Sequence, residues 1–104
     1  MYFAVVKITF EFDPEAPAPD RKDLHSVVEK IRNRFRVTVL PCSTVEEDGV
    51  TAIAYTSLAH SEESLSKQLD AIAQFCEDAG FGRIADEAVL MDHIENIGRT
   101  DEDA

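Results

Sequence analysis

Alternating apolar and polar residues at the start of the chain predict a β-strand. One face of residues 2–12 would carry a row of apolar side chains: Ala4, Val6, Ile8, Phe10 and Phe12. The other face would carry Phe3 and Val5 among more polar neighbours. This period of two is typical of a strand buried on one face. Three prolines within residues 13–19 then predict a stiff loop, since proline suits neither a strand interior nor a helix interior.

Apolar residues next recur every three or four positions, which predicts an amphipathic helix. These positions are Leu24, Val27, Val28, Ile31 and Phe35. Asp20 suits the N-cap, and Asp23 places negative charge near the helix start. We expect the helix to end near Arg36, because residues 37–40 are rich in β-branched side chains and predict a second strand. Pro41 cannot donate a ladder hydrogen bond, so this strand should lie at a sheet edge.

The second half of the chain repeats the alternation of strands with a helix. An Asp-Gly turn within residues 46–49 predicts a hairpin leading into a third strand over residues 50–57. The pattern leaves open which of its side chains face the helices, Ile53 and Tyr55 or Ala52 and Ala54. Ser61 is a predicted N-cap for a second helix, and Gly80 followed by Phe81 predicts its end. The apolar stripe of that helix is Leu65, Leu69, Ile72, Ala73, Cys76 and Ala79.

With a fourth strand near residues 88–94, the order of elements predicts one α+β domain. It is a ferredoxin-like β-α-β-β-α-β sandwich, a four-stranded antiparallel sheet with two helices on one face, over residues 1–97. The acidic residues 98–104 should form a disordered tail. Nothing remains to cover the other face of the sheet, which would carry Phe3 and Val5. Exposed apolar sheet predicts self-association, for example as a homodimer, or binding of a partner protein.

Composition and charge narrow the classes of function. The chain has 104 residues and 44% hydrophobic residues, as expected for one globular domain. It has no apolar run of about 18 residues, no basic leader and only two cysteines, so we expect a cytoplasmic protein without membrane contact. The formal net charge of -11 disfavours nucleic acid. Residues 20–36 are the exception: six bases and three acids give +3 there, whereas four bases and 18 acids give -14 elsewhere.

The basic end of the first helix is the most distinctive feature of the sequence. Its cations are Lys30, Arg32, Arg34 and Arg36. These cations have two interpretations. In the first, they are charges that stabilise the C-terminus of the helix through its dipole, by about 0.3–1 kcal/mol each. Alternatively, they form a contact surface for RNA or an acidic partner.

Candidate catalytic chemistry is sparse. The three histidines and two cysteines lack the spacing of zinc ligands. The carboxylate pairs occupy a turn and a helix start, where solvent would keep them ionised. Acylphosphatases share this size and strand order, and they bind phosphate in the loop after the first strand. In this chain that loop, residues 13–19, contains carboxylates and no basic residue. RNA-recognition motifs would need aromatic side chains on the open sheet face, where Phe3 and Tyr55 are the candidates. We therefore expect no enzyme, no metal and no cofactor.

The segment Ile31-Arg32-Asn33-Arg34-Phe35-Arg36-Val37-Thr38-Val39 resembles the junction of helix one and strand two in the YlxP-like family of small bacterial proteins. The resemblance spans roughly residues 1–95, but the tryptophan that family often carries in its hairpin is absent here. It implies a ferredoxin-like fold and, in many bacteria, a gene among translation and ribosome-maturation genes. It implies no catalytic residue. We expect an accessory domain that contacts the translation machinery or another protein through Lys30, Arg32, Arg34 and Arg36. Self-association through Phe3 and Val5 is the alternative, and a small enzyme is a third.

Overall fold

The computed structural model describes residues 1–12, 15, 21–43, 51–79 and 81–98. Its elements are β1 (Tyr2–Glu11), α1 (Arg21–Phe35), β2 (Thr38–Ser43), β3 (Thr51–Ala59), α2 (Glu62–Asp78), β4 (Arg83–His93) and a 3-10 turn (Ile94–Asn96). Five of the predictions fall on residues outside this description: most of the proline-rich loop, the Asp20 cap, the Asp-Gly turn, the end of the second helix at Gly80 and the tail beyond Gly98.

The four strands form one antiparallel sheet in the order β2-β3-β1-β4. Strands β1 and β3 are central, and β2, which contains Pro41, lies at an edge as predicted. With α1 and α2 inserted between strands, this is the ferredoxin-like arrangement. Val6 of β1 lies opposite Tyr55 of β3 and opposite Val89 of β4, so these three residues lie on the same face of the sheet.

The register also settles the facing of β3. Ile53 pairs with Ile8 and Tyr55 pairs with Val6, and all four side chains are buried. Since cross-strand partners lie on the same face, Ile53 and Tyr55 point towards the helices. Tyr55 is therefore absent from the open face where an RNA-recognition motif would need it.

The core is a single layer of apolar side chains between the sheet and the helices. Strand β1 and helix α2 contribute side chains with no exposed area, among them Ile8, Leu65 and Ile72. Helix α2 begins as predicted, with the Ser61 hydroxyl accepting a hydrogen bond of 3.1 Å from the backbone N–H of Ser64. That bond satisfies one of the helix's first unpaired N–H groups.

Strand β4 is longer than its pattern predicts. It begins at Arg83 rather than near Ala88, and Arg83 forms an ion pair with Glu11 across the sheet. Most of its side chains are exposed on either face, so the alternation that normally marks a strand is missing. A register shift opposite Thr9 and Phe10 adds a further irregularity to this part of the ladder.

Candidate functional site

The face of the sheet opposite the helices carries four aligned rows of side chains, and we call this face the open face. One row is Leu40, Ala54, Lys7 and Ala88; the next is Thr38, Thr56, Val5 and Leu90; the third is Leu58, Phe3 and Asp92; the fourth is Ala52, Thr9 and Asp86. Each row runs across neighbouring strands because antiparallel partners share a face.

Large apolar side chains on the open face are well exposed to solvent. Leu40 and Leu58 are each 59% exposed, Leu90 is 61% exposed and Val5 is 48% exposed. Phe3 is half-buried among them. The structure places Phe3 and Val5 on the predicted face with Leu58 and Leu90 beside them, and Leu40 on the same face two strands away. Sequence analysis missed the leucines because only the strand register shows that they share this face.

The open face has little charge for a molecule with a net charge of -11. Its bases are Lys7, at the centre of a row between Ala54 and Ala88, and Arg83, which is ion-paired with Glu11 at the end of β1. Asp86 and Asp92 lie on the same face of β4, opposite Thr9 and Phe3. Within the described ranges, Lys7 has neither an ion-pair nor a hydrogen-bond partner. Its aliphatic stem is free to lie along apolar surface while the ammonium group stays in water.

Two of the four predicted contact cations are engaged within the fold. Arg32 forms an ion pair with Glu29, and its Nη2 donates a hydrogen bond of 3.0 Å to the carbonyl oxygen of Val39. This bond joins α1 to the neighbouring edge strand. The Arg34 guanidinium carbon lies 5.3 Å from the centre of the Phe75 ring and 5.6 Å from that of Phe35, within cation–π range.

Lys30, Arg34 and Arg36 are the exposed members of the basic cluster, and of these Arg34 also contacts two aromatic rings. Arg36 follows α1 with φ at 57°, a left-handed conformation usually adopted by glycine. Its backbone N–H donates a hydrogen bond of 2.9 Å to the carbonyl oxygen of Arg32, which closes the last turn of the helix. Lys30 and Arg36 are therefore exposed and take no part in the internal side-chain contacts made by Arg32 and Arg34.

A cleft of about 450 Å³ lies between α1 and the edge of β2. Its lining residues are Leu24, His25, Val28, Glu29, Arg32, Leu40 and Pro41. The lining is mostly apolar, and the guanidinium of Arg32 is already paired with Glu29. A catalytic pocket usually brings several polar groups together around a reacting atom, and this lining offers few.

The buried titratable groups, Cys76 on α2 and Tyr55 on β3, lie between the helix and the sheet and are held in their neutral forms. Burial, reinforced by the charge of Glu87, raises the pKa of the Cys76 thiol to about 12. Burial and then the charges of Glu87, Cys76 and Asp70 raise the pKa of Tyr55, whose hydroxyl has no hydrogen-bond partner within the described part of the chain. A protonated thiol is a poor nucleophile. In the same ranges, no three His, Cys, Asp or Glu side chains are placed to hold a metal ion.

A family profile described as a protein of unknown function, DUF503, matches residues 20–89, well over half of the chain. This chain belongs to the DUF503 family. The match runs from the start of α1 into β4 and includes the basic cluster, whereas β1 lies outside it. The narrower resemblance of this DUF503 protein to YlxP-like proteins, and its bacterial origin, stay predictions. A comparison with curated proteins finds no match.

Solved structures confirm the fold of the DUF503 chain. The crystal structure of At3g17210 from Arabidopsis thaliana is similar at 13% identity with a TM-score of 0.53, covering 88% of this chain and 93% of that one. The solution NMR structure of the de novo designed protein LFR1 1, with ferredoxin fold, is similar at 16% identity with a TM-score of 0.53, covering 96% and 91%. At these identities the likeness extends to the fold alone. Among the described helices, none is long and apolar enough to cross a membrane.

Proposed function

We propose that this DUF503 protein is a non-enzymatic interaction domain that self-associates through its open face. The observation that carries the proposal is the exposure of Val5, Leu40, Leu58 and Leu90 on one side of the sheet. Contiguous apolar surface of this kind marks interaction sites on folded proteins.

A second copy fits this face by charge. Two molecules that each carry a charge of -11 repel one another, so they approach most easily through their least charged surfaces. If apolar surface alone covered Lys7, its ammonium group would be buried without a hydrogen-bond or ion-pair partner. A second copy also supplies carboxylates from the same face, the partner's Asp86 and the partner's Asp92.

The exposed side chains set the scale of the interaction. Fully burying a leucine or valine side chain contributes about 1.5–3 kcal/mol, so covering one that is already half-buried contributes roughly 1 kcal/mol. Each copy offers four such side chains. Part of this gain offsets the translational and rotational freedom lost on association, so we expect a reversible dimer that replacing one exposed leucine by a carboxylate weakens.

Substitution of the leucines tests the proposal. We expect Leu58→Asp and Leu90→Asp each to weaken association relative to the wild type with little loss of fold stability, since both side chains are exposed in the single chain. Ile97→Asp is the matched control, because Ile97 is 59% exposed but lies outside the sheet. Sedimentation equilibrium between about 1 and 100 µM gives the masses. A wild type that is monomeric throughout, or a Leu58→Asp variant that associates as the wild type does, would refute self-association through this face.

A second candidate function is contact between the basic end of α1 and the translation machinery. It is favoured by the exposure of Lys30 and Arg36, which lie in the one basic stretch of the sequence. We propose that they bind backbone phosphate, which predicts salt-sensitive co-sedimentation with ribosomal subunits. Arg32 and Arg34 are left unchanged in this test because they also hold the fold together.

The double variant Lys30→Glu/Arg36→Glu should abolish that co-sedimentation. The double variant Lys22→Glu/Lys67→Glu is the control, since it changes the net charge equally at two other exposed positions. A wild type that does not sediment with subunits at low salt, or two double variants that lose binding equally, would exclude this contact.

A further inference from the structure

The two edges of the sheet differ in their ability to accept another strand. At the β2 edge, the Val39 carbonyl receives the hydrogen bond from Arg32, so this oxygen points away from β3. Residues two apart direct their backbone groups to the same side of a strand. Pro41 is therefore the next residue facing outwards, and it has no N–H to donate. An occupied carbonyl and a proline are both means by which proteins block an edge.

The β4 edge has no proline, and its outward-facing groups are occupied at its last residue, where the N–H of His93 donates a hydrogen bond of 2.7 Å to the Asp92 carboxylate. The backbone N–H of Ile94 donates to the carbonyl of Met1, 2.9 Å away, in line with the β1–β4 register. Even-numbered residues near this end of β4 therefore face β1. The outward-facing backbone groups belong to Glu87, Val89, Met91 and His93. This edge strand is 11 residues long and contains no proline.

Side chains on both faces of β4 also lack cover. Val89 lies on the helix side of the sheet and is 47% exposed, while Leu90 on the open face is 61% exposed. An edge strand is usually covered or charged against further pairing. In β4, the middle of the strand is instead the run Ala88-Val89-Leu90-Met91, which has no charge.

We propose that β4 pairs antiparallel with β4 of a second copy, joining two four-stranded sheets into one of eight strands. This interface lies at the edge of the sheet, shares Leu90 with the open face and goes beyond the proposed function. Such a pair has its two-fold axis perpendicular to the sheet, so each residue at the axis meets its own copy. The helices of both copies then lie on one side, and the two open faces lie next to each other on the other.

Charge favours the register that has Leu90 on the axis over two of its alternatives. With Leu90 on the axis, Val89 lies opposite the partner's Met91 and Glu87 lies opposite the partner's His93. A carboxylate then meets an imidazole twice, while the apolar run pairs with itself. With Val89 on the axis, Asp86 would face the partner's Asp92. With Glu87 on the axis, two glutamates would meet directly. Like charges directly opposite are destabilising, so these two registers are disfavoured.

Cysteine cross-linking tests the register directly. In a Cys42→Ser background, chains carrying Val89→Cys are mixed with chains carrying Met91→Cys under mild oxidation. Directly opposite residues lie about 5.5 Å apart at their Cα atoms, within disulfide range. We expect the mixture to form the cross-linked dimer. Each chain alone should form little of it, because in this register residue 89 lies opposite residue 91 of the second copy and not opposite residue 89. Both positions lie on the helix side, which pairing through the open face cannot bring together.

Blocking the edge tests the same interface without a cross-link. Val89→Pro removes an outward N–H and should weaken association at least tenfold, whereas Val89→Thr keeps the N–H and should not. Both variants are measured in a Leu58→Asp background, so that the open face does not contribute. If Val89→Pro fails to fold, the cross-linking result decides. A mixture that cross-links no better than either chain alone, or a Leu58→Asp chain that stays monomeric at 100 µM, would overturn the proposal and leave self-association through the open face untouched.

Discussion

The left-handed backbone at Arg36 predicts that glycine there will stabilise the fold relative to alanine. A non-glycine residue in this conformation is strained by about 1–2 kcal/mol, and φ at Arg36 is 57°. Glycine removes the strain but gives the unfolded chain more freedom, which offsets about 0.4–1 kcal/mol. We therefore expect Arg36→Gly to exceed Arg36→Ala in unfolding free energy by about 0.5–1 kcal/mol. For a domain of this size, that is roughly 4 °C in Tm.

The alanine variant is the proper reference because both substitutions remove the same cation from the helix C-terminus. Losing that charge costs about 0.3–1 kcal/mol in either case, so it cancels in the comparison. Urea unfolding followed by circular dichroism should show a higher midpoint for Arg36→Gly at an unchanged slope. An alanine variant as stable as the glycine variant would refute the claim that this residue is strained. The glycine variant should also show weaker binding to any phosphate partner of the basic cluster.

The other predictions concern the edge of β2 and the two thiols. Arg32→Met should lower the unfolding free energy by about 1 kcal/mol, measured in urea, because it removes the part-exposed hydrogen bond to Val39; an unchanged midpoint would show that this bond contributes nothing. Ellman's reagent at pH 8 should modify only Cys42 in the native protein and both thiols in urea, since Cys76 is buried. Rapid modification of both thiols in the native protein would contradict the packing of α2. An unfolded thiol has a pKa near 9.0, whereas that of folded Cys76 is about 12, so the unfolded state binds fewer protons between these values. The stability contributed by burying the neutral Cys76 thiol is complete below pH 9 and is lost as pH rises towards 12. The unfolding free energy of a Cys76→Ala variant should therefore decline less steeply over that range.

The period of the apolar residues was enough to predict the central part of the fold. Strand β1 and both helices bury one stripe each, and Ile8, Ile31 and Ile72 are buried as the pattern requires. The edge position of β2 followed from the missing N–H of Pro41. These features are local, since each depends on spacing within a single segment.

Features that depend on pairing between segments were not predictable from the sequence. The facing of β3 depends on its register with β1, because Ile53 and Ala52 are equally apolar. The start of β4 was missed because that strand lacks a buried face over residues 85–90. The basic cluster was visible in the sequence, but the loss of Arg32 and Arg34 to internal contacts depends on Val39 and Phe75, which lie on other elements.

The asymmetry between the two edges limits how far this chain can polymerise. A sheet with two receptive edges can add copies without end and grow into a fibre. Here the cap formed by Arg32 and Pro41 terminates one side, so pairing through β4 leaves nothing receptive at the outer margins of the product. Sheet extension by this DUF503 protein should therefore stop after a single step, yielding a closed particle rather than a filament.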